Sequence, residues 1–234
     1  MLDATRAALC AIACMFLWLA GPAFAGGAEV FRAAGCAGCH QVTPPPAGFD
    51  LDGRLAEKGP NLWYAGSKYR PGWIARWLAN PSPISGIRHD SHLPSTDLSP
   101  HPALGGEGGR AVAAYLESLT DSAMATGVVD TASPMPRMTS IQGRMLFGKE
   151  QQCFACHKTL TRYGVLVGGE SGPTLANATE RLNPDWILAF LMDQRRYVPV
   201  TRMPIYQGDT FTDYGDGQMR ILARYIADMG KAAP

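Results

Sequence analysis

Two short stretches, CAGCH at residues 36–40 and CFACH at 153–157, each place two thiols three positions apart with a histidine directly after the second. Thiols at that spacing can add to the two vinyl groups of one porphyrin as thioethers. The histidine that follows can then reach the iron as its proximal ligand, which makes C-x-x-C-H the signature of covalent c-type haem attachment. Other uses of paired cysteines fit less well. A thioredoxin-like redox pair needs a βαβ setting that neither segment shows. A four-cysteine zinc site is opposed by the separation of the pairs, far wider than a zinc ribbon's loop. Plain disulfides leave the histidine after both pairs unexplained. Cys36, Cys39, Cys153 and Cys156 are therefore read as attachment points for two haems, with His40 and His157 on the irons.

The start of the chain bears on where this chemistry happens. Residues 1–25 have one arginine near the front (Arg6), an apolar run from Ala7 to Ala20, a Gly21-Pro22 break and then Ala23-Phe24-Ala25. That is the pattern of a secretory signal peptide with an A-x-A cleavage site. An uncleaved anchor is the alternative, opposed by a run shorter than the roughly 20 residues that span a bilayer. Cleavage removes Cys10 and Cys14, leaves the four motif cysteines, and sends the chain to the periplasm. Lys+Arg number 21 and Asp+Glu 20, so no basic stripe points to nucleic acid.

The elements around the motifs occur twice. Cys36 and Cys153 lie 117 residues apart, as do His40 and His157. Gly59-Pro60 and Gly172-Pro173, Trp73 and Trp186, Trp77 and Phe190, and Leu78 and Leu191 lie 113 apart. Pro94 and Pro204, and Tyr115 and Tyr225, lie 110 apart. Each copy predicts a helix before the motif (AEVFRAAG, QGRMLFGKE), a loop to Gly-Pro, and a tryptophan-bearing helix (PGWIARWLANP, NPDWILAFLMD). A proline-containing loop and a final amphipathic helix (GRAVAAYLESL, QMRILARYIADM) complete it. Residues 121–138, rich in small residues and proline, read as a linker, and QVTPPPAGFDLDG (41–53) as a loop insertion. GGEGG (105–109) follows no strand and reads as a flexible lead into a helix, not a phosphate cradle. The acids of DTFTDYGDG (209–217) lack a calcium loop's alternation and final glutamate, and read as capping before Gln218.

In this arrangement the sequence resembles a tandem dihaem member of the class I cytochrome c superfamily, with a layout similar to cytochrome c4. The resemblance covers residues 26–234. It implies a mostly α fold of two tandem domains, 26–120 and 139–234, joined by 121–138, each a small helical fold wrapped around one covalent haem. It also implies that Pro60 and Pro173 sit near the proximal histidines, with nearby carbonyls accepting the imidazole Nδ1–H. The family's Met-Pro loop, which supplies the distal ligand, is present as Met203-Pro204. At the same offset the first copy has Leu93, which cannot bind iron, and no methionine stands between Met15 and Met124. The three remaining histidines crowd between residues 89 and 101. His92, beside the aligned position, is the first choice for the missing ligand, and His89 is the alternative. An open iron, a linker methionine (Met124, Met135 or Met138) and His101, which lies past the proline, follow in that order.

A second imidazole favours ferric iron, whereas methionine ligation raises the potential. The functional expectation is a periplasmic dihaem carrier of single electrons, from a His/His haem 1 to a His/Met haem 2, between respiratory redox partners. Contacts with a membrane-bound respiratory complex would be transient. The alternatives are a dihaem peroxidase-like enzyme with an open iron at haem 1, and the cytochrome subunit of a dehydrogenase complex. Against an enzyme, no distal acid/base residue stands out.

Overall fold

A computed structural model describes residues 23–90, 100–161, 163–205 and 215–231. In chain order the first half holds α1 (Ala23–Ala33), α2 (Leu51–Ala56), α3 (Ala65–Lys68), α4 (Trp73–Ala79) and α5 (Gly106–Ser118). The second holds α6 (Arg137–Met145), which runs on through a π turn at Leu146–Glu150, then the hairpin β1 (Thr159–Leu160) and β2 (Leu166–Val167). It ends with α7 (Ala178–Arg181), α8 (Pro184–Met192), α9 (Gln194–Tyr197) and α10 (Asp216–Ala227). Among the described residues no helix is long and apolar enough to cross a membrane.

The two long final helices bury the same face. Gly109, Val112, Ala113 and Leu116 of α5 are buried, as are Met219, Leu222, Ala223 and Ile226 of α10. Each pair lies 110 residues apart, the offset of Tyr115 and Tyr225, and both sets follow the i, i+3, i+4, i+7 spacing of one helix stripe. Each stripe packs on the helix that precedes a cysteine motif, α5 on α1 and α10 on α6. Both crossings turn on a glycine. A Cβ on Gly27 would lie 2.4 Å from the Ala111 carbonyl oxygen and 2.8 Å from Tyr115 Cβ, and one on Gly143 would lie 2.6 Å from Tyr225 Cβ. Phe31 and Phe147, four residues after these glycines, pack on the same tyrosines at ring-centroid distances of 5.7 and 5.8 Å.

This gives a prediction whose sign separates packing from helix propensity. Propensity alone makes Gly143→Ala stabilising. Overpacking at the crossing instead makes it destabilising by roughly 1–3 kcal/mol, or about 2–4 °C of melting midpoint per kcal/mol in a chain this size. Gly108→Ala is the control, because its Cβ meets nothing nearer than 3.6 Å. It should raise the midpoint, and thermal melts of the two variants read the difference.

The halves meet along a short antiparallel pairing of Tyr69 with Leu182. The Arg70 N–H donates to the Arg181 carbonyl at 3.0 Å and the Asn183 N–H to the Lys68 carbonyl at 2.9 Å. Tyr69/Leu182, Lys68/Arg181 and Arg70/Asn183 are each 113 apart, so Tyr69 meets its own counterpart and the flanking residues exchange partners, Arg70 with the counterpart of Lys68 and Lys68 with the counterpart of Arg70, across a local two-fold. Tyr64 crosses over to stack on Trp186 (centroids 6.1 Å, 6° between planes) and to meet Tyr197 edge-on at 4.9 Å. Lys68 Nζ lies 4.9 Å over Trp186.

The stretch read as a linker is pinned at its start and near its middle. The backbone N–H groups of Gly127, Val128 and Val129 donate to the Asp185 carboxylate at 2.6, 3.0 and 2.8 Å. The buried Asp121 carboxylate accepts from Arg196 Nε at 2.8 Å and from the Tyr197 hydroxyl at 3.0 Å, and its own N–H donates to Ser67 Oγ. Two other differences from the expected elements are local. The stretch 41–53 leads into a helix, α2, because Asp50 caps it by accepting from the Gly53 N–H at 2.9 Å. The small hairpin β1–β2 also stands where no strand was expected.

Candidate functional site

Both motifs sit on a single 3-10 turn, Cys36–Gly38 and Cys153–Ala155. The residue before each first cysteine adopts the left-handed conformation, Gly35 at φ 76° and Gln152 at φ 50°; no other non-glycine among the described residues has positive φ. This reversal closes the turn, and the histidine N–H then bonds back to the first cysteine's carbonyl, His40 to Cys36 at 3.0 Å and His157 to Cys153 at 2.9 Å. No disulfide joins the four motif cysteines. Burial raises the Cys36 thiol above its ordinary value.

Each histidine is then held from outside its turn. His40 Nδ1 donates to the Pro60 carbonyl at 2.8 Å and His157 Nδ1 to the Pro173 carbonyl at 2.6 Å. This fixes the tautomer, leaves Nε2 without the proton and raises its basicity. Gly59 and Gly172 let the proline loop come so close. A Cβ there would lie 2.7 Å from His40 Cε1 and 2.5 Å from His157 Cε1. A second bond repeats as well: Leu62 N–H to the Gln41 carbonyl at 2.7 Å, and Leu175 N–H to the Lys158 carbonyl at 2.8 Å. Burial, opposed by the proline carbonyl, holds both imidazoles below their ordinary pKa, toward the neutral form that binds metal.

The expected distal residues fall differently. Met203 lines an open depression of about 540 Å³ with Arg195, Val200 and Ile205. Its loop is fixed from below by Gln194, whose Nε2 donates to the Pro204 carbonyl at 3.2 Å. His92, with Leu93 and Pro94, lies outside the described residues. His89 is clamped by the end of α2. Arg54 Nη2 donates to its Nδ1 at 3.1 Å, and its Nε2–H donates to Glu57 Oε2 at 3.2 Å. Burial first, then the Arg54, His40 and Arg202 charges, pushes the His89 pKa down to about 3. Both ring nitrogens of this neutral histidine are thus in use. His101 stands beside His40, with ring centroids 6.0 Å apart.

Residues 24–120 match the family model of cytochrome c. No curated protein and no solved structure matches the chain. The first half therefore carries a cytochrome c domain, which implies a covalent c-type haem with its iron and a role as a haem-based electron carrier.

The residues present fit that group. Five buried side-chain polar atoms among the described residues have no partner, and four are donors: Trp63 Nε1, Arg70 Nε, Gln151 Nε2 and Trp186 Nε1. Buried donors left unpaired call for an acceptor, and a haem brings two carboxylates. Among the described residues no three or more His, Cys, Asp or Glu stand together as a group that could hold a metal ion. In the cytochrome c domain a cavity of about 210 Å³ opens beside His40 between Phe31, Val42 and Tyr115. The glycine–tyrosine crossings were missed in the sequence because Gly27 and Gly143 stand 116 apart, one off the cysteine offset; the shared G-x-x-x-F pattern was the available signal.

Proposed function

We propose that the chain is an exported, periplasmic dihaem c-type cytochrome that carries single electrons, with cytochrome c domains at 26–120 and 139–234. The observation that carries this reading is the repeated frame around His157. The left-handed residue, the 3-10 turn, the Nδ1–carbonyl bond to a Gly-Pro loop and the backbone bond from the following leucine all recur there. Two separate stretches have no reason to share four such features unless each holds the same rigid group. Cys36 and Cys39 hold one haem, Cys153 and Cys156 the other, with His40 and His157 as proximal ligands and Met203 as the distal ligand of the second. When bound, the haems supply the one-electron couples, the bis-histidine one at the lower potential, so that electrons run from the first half to the second.

The protein's part is to hold tautomers, exclude water and present an edge to partners. Around the second motif, Phe154, Val165 and Leu166 expose apolar side chains, which supports a transient contact with a redox protein. The partners expected are respiratory donors and acceptors.

A pyridine haemochrome assay on acid-extracted protein should find two covalent haems per chain, and Cys153→Ser should reduce this to one while the first half keeps its own. One haem in the unaltered protein would overturn the dihaem reading.

A further inference from the structure

We propose that His101 is the sixth ligand of the first haem iron, a role that rests on the haem at Cys36 and Cys39 proposed above. Three observations converge on it. The first is distance. With metal–nitrogen bonds of about 2 Å, two imidazoles on opposite sides of one ion hold their ring centroids about 6 Å apart. His40 and His101 stand at 6.0 Å, with 39° between their planes. Axial imidazoles turn freely about the axis they share, so that angle is compatible with coordination.

The second is hydrogen bonding. The Nδ1 of His40 is bonded to the Pro60 carbonyl, and the Nδ1 of His101 to the Pro102 carbonyl at 2.9 Å. Among the described residues nothing bonds Nε2 of either ring. Both imidazoles are therefore poised in the same tautomer, with the same nitrogen open to a metal. His89 offers no such nitrogen, because Arg54 and Glu57 take both of its own.

The third is support. Trp77 packs on the His101 ring at a centroid distance of 4.7 Å. Three residues on, the Leu104 N–H ties the loop to the Leu78 carbonyl at 2.8 Å. Trp77 and Leu78 belong to the tryptophan-bearing helix α4, so the ring is held by the same element that builds the core of this half. His101-Pro102 also repeats the form of Met203-Pro204, a donor side chain directly before proline.

The test uses the full-length dihaem protein. Haem content is measured first. Ferric EPR, the far-red methionine–haem band and carbon monoxide binding to the reduced form are then compared. The unaltered protein should show one bis-imidazole and one His/Met low-spin haem. His101→Ala should turn one of the two haems high-spin and open it to carbon monoxide, with haem content unchanged. His101→Met should about double the far-red band, a gain that a folding defect cannot imitate. His92→Ala and His89→Ala should each keep the bis-imidazole signal. A bis-imidazole signal that survives His101→Ala and disappears in His92→Ala overturns the assignment, and so does a high-spin first haem in the unaltered protein. Absence of haem at Cys36 and Cys39 overturns instead the reading on which the assignment rests.

Discussion

Asp121→Asn should loosen the joint between the halves by about 2–3 kcal/mol, the range for charge-assisted hydrogen bonds to a buried carboxylate whose partner can rehydrate. Arg196 is partly exposed and finds water after the change, which keeps the loss below that of a fully buried pair. Tyr197 and the Ala123 N–H lose a charged acceptor at the same time. The carboxyl of Asp121 also has a pH signature. Burial pushes its pKa up, but the bond from Arg196, the Ala123 N–H and the Tyr197 hydroxyl outweigh burial and hold it below the ordinary value. A depressed carboxyl stabilises the fold in full above the unfolded-state pKa of about 4, and this is lost as pH falls through the lower folded value. The gap in melting temperature between Asp121→Asn and the unaltered protein should therefore be wide at pH 7 and shrink below pH 4. An equal gap at both pH values would assign the effect to packing instead.

Gly172→Val should be the most damaging single change near the second motif. The first atom added already lies 2.5 Å from His157 Cε1 and 2.7 Å from its Nδ1. The ring cannot swing aside without giving up its 2.6 Å bond to Pro173, and the turn behind it is closed onto Cys153. Overpacking of roughly 1–3 kcal/mol adds to about 1 kcal/mol for the lost hydrogen bond. On the dihaem reading proposed above, the spectral effect should fall on one haem alone: partial conversion to high spin at the His157 site, with the first haem unaltered. A low-spin second haem with an unshifted melt would show that the Gly172–His157 approach carries no strain. Gly59→Val tests the same contact at His40.

The motif part of this candidate site is legible in the sequence. Thioether chemistry demands a local spacing, so Cys36, Cys39 and His40, and their counterparts at 153, 156 and 157, are visible as strings. The buried stripes of α5 and α10 are visible for the same reason, since a helix writes its buried face into its own period. What stayed hidden was long-range. The clamp on His89 joins residues 32 and 35 positions away, and the pinning of 127–129 comes from Asp185, 56–58 residues on. Neither leaves a local period. The placing of His101 shows the same limit. Counting from the final helix points to Leu93 and its neighbour His92, which lie outside the described residues. The contact with His40 instead follows from where the chain re-enters the helical core, at Leu104 on Leu78.

The pairing of Tyr69 with Leu182 also bears on how the two halves could come to differ. A residue that meets its own counterpart across an axis makes the contact of an isologous dimer, in which one sequence must serve both sides and every substitution appears twice. A covalent tether removes that rule. It makes the association intramolecular, so the interface persists at any dilution, and each side can change alone. The marks of such independence are already in place: Lys68 lies over aromatic rings where Arg181 is buried against the Thr174 carbonyl, and Leu93 precedes proline in one half where Met203 does in the other. A symmetric pair of identical halves would hold its two irons at one potential and give an electron no preferred direction. In the dihaem reading proposed above, breaking the symmetry within a single polypeptide is what would give the electron a direction.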